Sequence, residues 1–181
     1  MPLGPTGIDA AHEPARPPER RIPQRAARRL PDEPPRWARR LGYAGLVPFL
    51  LGAALVWFVH PEAHPYTTLA LSAYAAAIVS FLGGLHWGLA MRASAVVAAD
   101  AVENARVNVS LAWAVVPPLV AWPAVMMPPS AGLIVLGVMF IVCYLVDRRV
   151  FVAQGLAAWL TLRFRLSAVA ALSCFLGAAG T

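Results

Sequence analysis

Lysine is absent from this chain of 181 residues, so all fifteen of its basic residues are arginines. Charged residues of both signs are also scarce, because they make up 13% of the sequence, whereas an average soluble domain has about a quarter. Hydrophobic residues make up 59% of the chain, and its mean hydropathy is +0.62. This shortage of charge excludes an ordinary soluble domain. The lack of lysine, whose codons are rich in A and T, favours a bacterium with a GC-rich genome.

The charges that are present lie mostly at the amino terminus, where the first 40 residues contain nine arginines and five acids. The rest of the chain includes apolar stretches roughly twice as long as the ~20 residues that one helix needs to cross a bilayer. Each such stretch is expected to form a hairpin of two helices with prolines at its turn. We therefore predict an all-α membrane protein, a five-span transmembrane helix bundle over residues 39–181, with spans at about residues 41–59, 67–91, 107–126, 131–146 and 162–180.

The fifth span is the shortest, because only residues 166–181 follow the last arginine, Arg165. A helix of that length rises about 24 Å, which is less than the ~30 Å of hydrocarbon in a bilayer. The sequence therefore predicts one of two arrangements. Either the span includes residues before Arg163, with arginine side chains that snorkel to the surface, or it stops short of the far side.

The arginines also predict how the chain is oriented in the membrane. All fifteen lie on one predicted side, in the amino-terminal tail and in the connections after the second and fourth spans. Short cytoplasmic connections retain arginine, whereas short exported connections lack it. We therefore predict a cytoplasmic amino terminus, an exported carboxyl terminus and a location in a bacterial inner membrane.

Residues 1–38 are predicted to form a disordered cytoplasmic tail, because prolines and charges leave too little apolar surface to offset the entropy of ordering. The tail differs from a signal peptide, since it has no apolar core followed by a cleavage site of small residues. Its last arginines, Arg36, Arg39 and Arg40, are expected to contact anionic lipid headgroups. Each contact should contribute about 1 kcal/mol to the free energy of membrane binding. We expect no nucleic-acid partner.

The second span has small residues on two opposite faces. One face carries five of them, at 100° per residue: Ala73, Ala77, Ser80, Gly84 and Gly88. The opposite face includes Gly83. Since the Gly84–Gly88 pair forms a GxxxG motif that permits close helix approach, we predict Ser80, Gly83, Gly84 and Gly88 as helix-packing residues at the centre of the bundle. The alternative is that alanine and glycine are simply abundant here.

His86 is the only ionisable residue placed well inside a predicted span. Ionisable residues inside a membrane usually indicate a functional site. A neutral imidazole with one hydrogen bond, however, costs little free energy to bury and can have a purely structural role. Asn108, Tyr144 and Asp147 lie at the same predicted depth as His86. We therefore predict a polar intramembrane cluster of these four residues, and the sequence leaves open whether it is structural or functional.

Other chemistry is weakly represented. A metal site is only superficially suggested by His60, Glu62 and His64. Zinc binding on a helix needs the spacing His-Glu-x-x-His, and here a proline follows each histidine. The cysteines, Cys143 and Cys174, lie at different predicted depths and are interpreted as small apolar packing residues. We find no paired carboxylates, phosphate loop or activated nucleophile, so we predict no catalytic residue, no metal and no cofactor.

Five segments of the chain resemble the transmembrane protein 69 family, small multi-pass proteins of bacterial inner membranes and mitochondria. They are residues 41–49, 80–88, 118–122, 144–149 and 162–166, and the most specific is the Phe-Leu-Gly-Gly-Leu-His-Trp-Gly run that contains His86. The chain departs from the family pattern at Pro117-Pro118, where Pro-Ser is expected, and at residues 158–160, where Pro-Trp-Tyr is expected. The resemblance implies five spans and no established enzyme activity.

Two functions are consistent with these features. The first is a non-catalytic protein that packs against a membrane partner or a second copy, for instance during assembly of a membrane complex. The second is a small transporter or proton pathway that uses the His86 cluster, with Pro117-Pro118 as a break in the third span. Transporters usually contain internal repeats around the binding midplane, whereas the two hairpins here share only orientation and proline-rich turns.

Overall fold

The computed structural model describes residues 33–96 and 101–181. In these ranges the chain forms α-helices joined by short connections, two of which contain a turn of 3-10 helix. The predicted disordered tail lies outside the described residues up to position 32. The helices are α1 (Arg36–Ala44), α2 (Val47–Phe58), α3 (His64–Val96), α4 (Ala101–Met126), α5 (Pro129–Ala153) and α6 (Leu160–Ala179).

Five segments are long and apolar enough to cross a membrane, which confirms the predicted all-α architecture with five spans. Helices α1 and α2 together form the first, and α3 to α6 form the others. Most helices extend beyond the predicted spans by several residues, because helical backbone continues past the apolar segment into the polar connections. The direction in which the chain crosses the membrane stays a prediction.

The first span is interrupted where α1 meets α2. Helix α1 ends at Ala44, and the N–H of the next residue, Gly45, bonds to the carbonyl of Leu41. Pro48 lies in the first turn of α2, where its missing N–H costs no helical hydrogen bond. Helix α1 is strongly amphipathic, and its arginines Arg36, Arg39 and Arg40 are exposed. Such a helix suits the boundary between headgroups and acyl chains.

Helix α6 begins at Leu160, three residues before Arg163. Its 20 residues rise about 30 Å, enough to cross the hydrocarbon. The first of the two predicted arrangements is therefore the one adopted, but only Arg165 behaves as expected and remains exposed. The snorkelling predicted for Arg163 is wrong, because its guanidinium turns inward to a buried carboxylate.

Helix α3 contacts α2, α4, α5 and α6, so it lies at the centre of the bundle. It approaches α4 closely at Gly83, where an added Cβ would lie 2.3 Å from the carbonyl oxygen of Ala114. That carbonyl would normally accept a bond from the residue four positions later, but this residue is Pro118, which has no N–H. Gly83 therefore packs against a carbonyl that the proline leaves without its helical bond.

The same arrangement joins α4 to α5. An added Cβ at Gly132 would lie 2.2 Å from the carbonyl oxygen of Ala124, and the residue four positions after Ala124 is Pro128. At both contacts a glycine lies against a carbonyl whose usual donor position is occupied by a proline, although the Ala124 carbonyl still accepts from the N–H of Met127 at 3.3 Å. Close approach of this kind permits weak Cα–H···O contacts between the two backbones.

Gly84 and Gly88 differ from Gly83, because an added Cβ at either would meet nothing within 4 Å and both residues are exposed. The prediction that this GxxxG pair packs against another helix of the bundle is therefore wrong for the described chain. The packing face of α3 is rotated toward Gly83, where α4 offers the freed carbonyl. Ser80 is half-buried and bonds to the carbonyl of Ala76 in its own helix.

The middle of the bundle is apolar. Phe49 of α2 packs edge-on against Phe140 of α5, with ring centroids 5.5 Å apart, and Val79 and Leu136 have no exposed surface. The two cysteines are also buried in this core without a disulfide, as predicted for packing residues: Cys143 and Cys174. Burial of interlocking aliphatic and aromatic side chains therefore holds α2, α3, α5 and α6 together.

Candidate functional site

A hydrogen bond between α3 and α5 joins two almost fully buried side chains, His86 and Asp147. His86 is 2% exposed and Asp147 is 1% exposed, and Nε2 of His86 lies 2.7 Å from Oδ1 of Asp147. A carboxylate can only accept, so Nε2 carries the hydrogen and donates it. His86 occurs one turn beyond Gly83, and the close approach of α3 and α4 at that glycine keeps this part of α3 in the core.

A third helix completes the cluster. Arg163 of α6 donates from Nε to Oδ2 of Asp147 across 2.7 Å, and its side chain is 12% exposed. Asp147 thus accepts one bond on each carboxylate oxygen, from two different helices. With a neutral imidazole, the charges of Asp147 and Arg163 balance, as a buried ion pair requires. We call His86, Asp147 and Arg163 the buried triad.

Several polar atoms around the triad have no hydrogen-bond partner in the described part of the chain: Nδ1 of His86, Nη2 of Arg163, Nε1 of Trp113 and Oγ of Ser167. The rings of His86 and Trp113 meet edge to face, with centroids 6.5 Å apart. Unpaired buried polar atoms are uncommon in folded proteins, so a group of four around one ion pair makes this region the candidate functional site.

The predicted polar cluster is assembled only in part. His86 and Asp147 meet directly, whereas Asn108 is exposed on α4 and Tyr144 packs its ring on Phe164, with centroids 5.4 Å apart. The polar contact from α4 to His86 comes instead from Ser110, whose hydroxyl donates to the His86 carbonyl at 3.4 Å. The structure therefore does not bring Asn108 or Tyr144 to the imidazole.

Arg163 was missing from the predicted cluster. Sequence position alone places it at the start of a short span, where an arginine usually extends to the surface. The signal that points inward is Asp147, because a carboxylate buried in a membrane protein requires a cation as its partner. Arg163 lies in the first turn of the helix that follows, so this pairing rule would have made it one of the candidate partners.

A cavity of about 650 Å³ lies beside the triad. Its walls come from α1, α2, α3, α5 and α6 and are almost entirely apolar, as Leu85, Phe140 and Leu166 illustrate. Arg163 and Ser167 also line it. This volume falls within the ~300–1,000 Å³ that is typical of pockets for small molecules.

One face of α3 is uncovered by the rest of the described chain. It carries four exposed small residues: Ala73, Ala77, Gly84 and Gly88. Elsewhere the outward surface of the bundle bears mainly large side chains, such as Leu55, Leu119 and Leu172. The shallow face on the central helix is therefore a distinct surface feature, and we call it the small-residue face.

These features define a class of protein: a five-span helical membrane protein whose spans are joined by a buried ion-paired triad. The chain belongs to the family DUF3429, described as proteins of unknown function, which matches residues 34–179. Transmembrane protein 69 of Xenopus tropicalis is 40% identical to it over 81 residues, which cover 44% of this chain and 32% of that protein. The predicted resemblance is thereby confirmed. No solved structure matches the chain.

Proposed function

We propose that this chain is a non-catalytic interaction protein of a bacterial inner membrane, with its amino terminus in the cytoplasm. In this proposal the small-residue face of α3 receives a transmembrane helix of a partner protein, and the buried triad fixes the bundle that presents this face. The observation that carries the proposal is the open GxxxG pair, since Gly84 and Gly88 meet nothing within 4 Å in the described chain.

The chemistry of the triad supports a structural role. Both carboxylate oxygens of Asp147 already accept hydrogen bonds, from His86 and Arg163, so this carboxylate is not free to act as a base on a substrate. The three members come from α3, α5 and α6, three helices that must keep a fixed arrangement if α3 is to present one constant face. Buried, directional hydrogen bonds between helices favour a single arrangement of those helices in some proteins.

The shape of α3 supports helix docking. In lipid, helices associate chiefly by close packing, because the acyl chains are as apolar as the side chains. Gly83 shows that α3 already packs in this way on its α4 side, where glycine permits contact with backbone. Gly84 and Gly88 would permit the same close contact with a helix backbone on the opposite side of α3.

Co-purification tests this proposal. The variant Gly84→Ile is expected to accumulate in membranes as well as the wild type, because the added side chain meets no atom of the chain, but to lose its stoichiometric partner by quantitative mass spectrometry. Ala168→Ile is the matched control, since Ala168 is exposed on α6, away from the small-residue face. Equal partner recovery from Gly84→Ile and wild type would refute docking at this face.

A second candidate function is a proton pathway centred on His86, and one observation favours it. With Nε2 bonded to Asp147, the unpartnered Nδ1 is the atom that would take up a second proton. Against it, the core beyond the triad is apolar around Val79, Leu136 and Phe140. Proton flux into vesicles containing the purified chain tests it: flux that vanishes in His86→Gln would favour this candidate over the first.

A further inference from the structure

The cavity beside the triad combines a long apolar wall with a small polar end. Leu85 of α3, Phe140 of α5 and Leu166 of α6 supply apolar surface, whereas Arg163 and Ser167 supply polar atoms. The two polar residues are four positions apart on α6, so they lie on the same side of that helix. A space of this form suits a molecule with a long apolar part and one polar group.

The polar end offers donors that the protein does not use itself. Ser167 is 4% exposed, and its hydroxyl has no partner among the described residues; the same is true of Nη2 of Arg163. Nε of that guanidinium is already bonded to Asp147, so the group is held in place with its other donors directed elsewhere. A fixed guanidinium with unused donors matches the geometry of a phosphate.

The surrounding charge selects the sign of the ligand. The described residues contain nine arginines, and all belong to the end of the bundle where α1, α4 and α6 begin and α3 and α5 end. Contacts between α1 and α6 confirm that these termini meet: Arg165 donates to the Tyr43 hydroxyl at 3.4 Å. Because the nine arginines outnumber the three described acids at this end, Glu33, Glu103 and Asp147, an anion is attracted to it and a cation is repelled.

We propose that the cavity binds an anionic phospholipid of the surrounding bilayer. One acyl chain lies along Leu85, Phe140 and Leu166, and the phosphate accepts hydrogen bonds from the guanidinium of Arg163 and the hydroxyl of Ser167. The lipid thereby occupies the space between α1 and the bundle and satisfies buried donors next to the triad. This site shares Gly88 with the small-residue face on which the proposed function depends, whereas Ala73, Ala77 and Gly84 do not line it.

Native mass spectrometry of the full chain in mild detergent tests the head group. The chain is titrated with phosphatidylglycerol, phosphatidylcholine and diacylglycerol that carry the same acyl chains. We expect phosphatidylglycerol to bind most tightly and diacylglycerol least. Diacylglycerol that binds as tightly as phosphatidylglycerol would overturn the phosphate contact, and equal binding of the two phospholipids would overturn the selection by net charge.

The variant Ser167→Ala tests the polar end without disturbing the fold, because it removes a hydroxyl that has no partner in the chain. It should weaken phosphatidylglycerol binding about tenfold, the value of one hydrogen bond to a charged group. Unchanged binding would show that the hydroxyl does not contact the lipid.

A free fatty acid that displaces phosphatidylglycerol would overturn the assignment of a phospholipid.

Two glycines test the apolar part. Gly88 lines the cavity and Gly84, one turn away, does not, yet an added Cβ at either meets nothing within 4 Å. Gly88→Leu should reduce binding of both phospholipids several-fold, whereas Gly84→Leu should leave it unchanged. Equal lipid binding by the two variants would place the lipid outside this cavity. Because Gly84→Leu alters only the small-residue face, loss of the partner and loss of the lipid are separately measured.

Discussion

The variant Arg163→Met measures how much the buried triad contributes to stability. It removes the guanidinium, whose Nε lies 2.7 Å from Oδ2 of Asp147, and keeps an unbranched apolar side chain. Charge centres about 4 Å apart attract each other by about 4 kcal/mol at an effective dielectric constant of ~20. Measured losses on breaking a buried pair are about 3–5 kcal/mol, because the remaining charge is left unpaired. His86 still donates to Asp147, so we expect a loss near 3 kcal/mol by these values.

The assay is the free energy of unfolding in mixed micelles, measured by titration with a denaturing detergent. Arg165→Met is the matched control, because Arg165 is exposed two residues away on the same helix and its loss should cost about 0.5 kcal/mol or less. The double variant Arg163→Met with Asp147→Asn should recover most of the lost stability, since no charge is left alone and the amide oxygen still accepts from His86. A loss below about 1 kcal/mol for Arg163→Met, or no recovery in the double variant, would refute the ion pair as a stabilising contact.

Three further predictions follow from the helix contacts. Gly83→Ala should destabilise the bundle by about 1–3 kcal/mol because its Cβ would meet the Ala114 carbonyl, whereas Gly84→Ala should be neutral; equal melting temperatures in detergent would contradict this. His86→Gln should keep a bond to Asp147 and unfold like the wild type, whereas His86→Leu should cost about 1–3 kcal/mol, and a fully stable leucine variant would show that the bond contributes nothing. Reporter fusions after Met91 should be cytoplasmic and those after Ser130 exported; the opposite result would reverse the proposed orientation.

The number and order of the spans could be predicted from the sequence because they depend on local properties. A charge at the centre of a bilayer costs several kcal/mol, so the long apolar stretches between arginines are expected to be membrane spans. The length of the last stretch also indicated that the fifth span either begins before Arg163 or stops short of the far side, and the helix begins at Leu160. None of these conclusions requires knowing how the helices are rotated.

The rotation of α3 could not be predicted, and it decides which glycine packs against a neighbour. Gly83 and Gly84 are adjacent in the sequence, and both belong to faces of small residues. The structure selects Gly83 because α4 presents the carbonyl of Ala114, which Pro118 leaves without a donor. The rule that a proline frees the carbonyl four residues earlier was available from the sequence, but the helix that faces this carbonyl was not.

The candidate site was predicted in the same partial way. Depth along the helices placed Asp147 beside His86, because both lie about the same distance from the arginine-rich end. Depth alone could not separate Asp147 from Asn108 and Tyr144, which have the same level but face away from the imidazole. The four unpartnered polar atoms around the triad are a property of side-chain packing, so no sequence pattern indicated them.

Photo-crosslinking from the small-residue face tests the central proposal most directly. A photoreactive amino acid at Ala77, on this face of α3, is compared in intact membranes with the same amino acid at Ala168 on α6; both residues are exposed. If α3 receives a partner helix, Ala77 should give a discrete protein adduct and Ala168 should give lipid adducts alone. Lipid adducts alone from both positions would contradict the proposal that this face binds a protein.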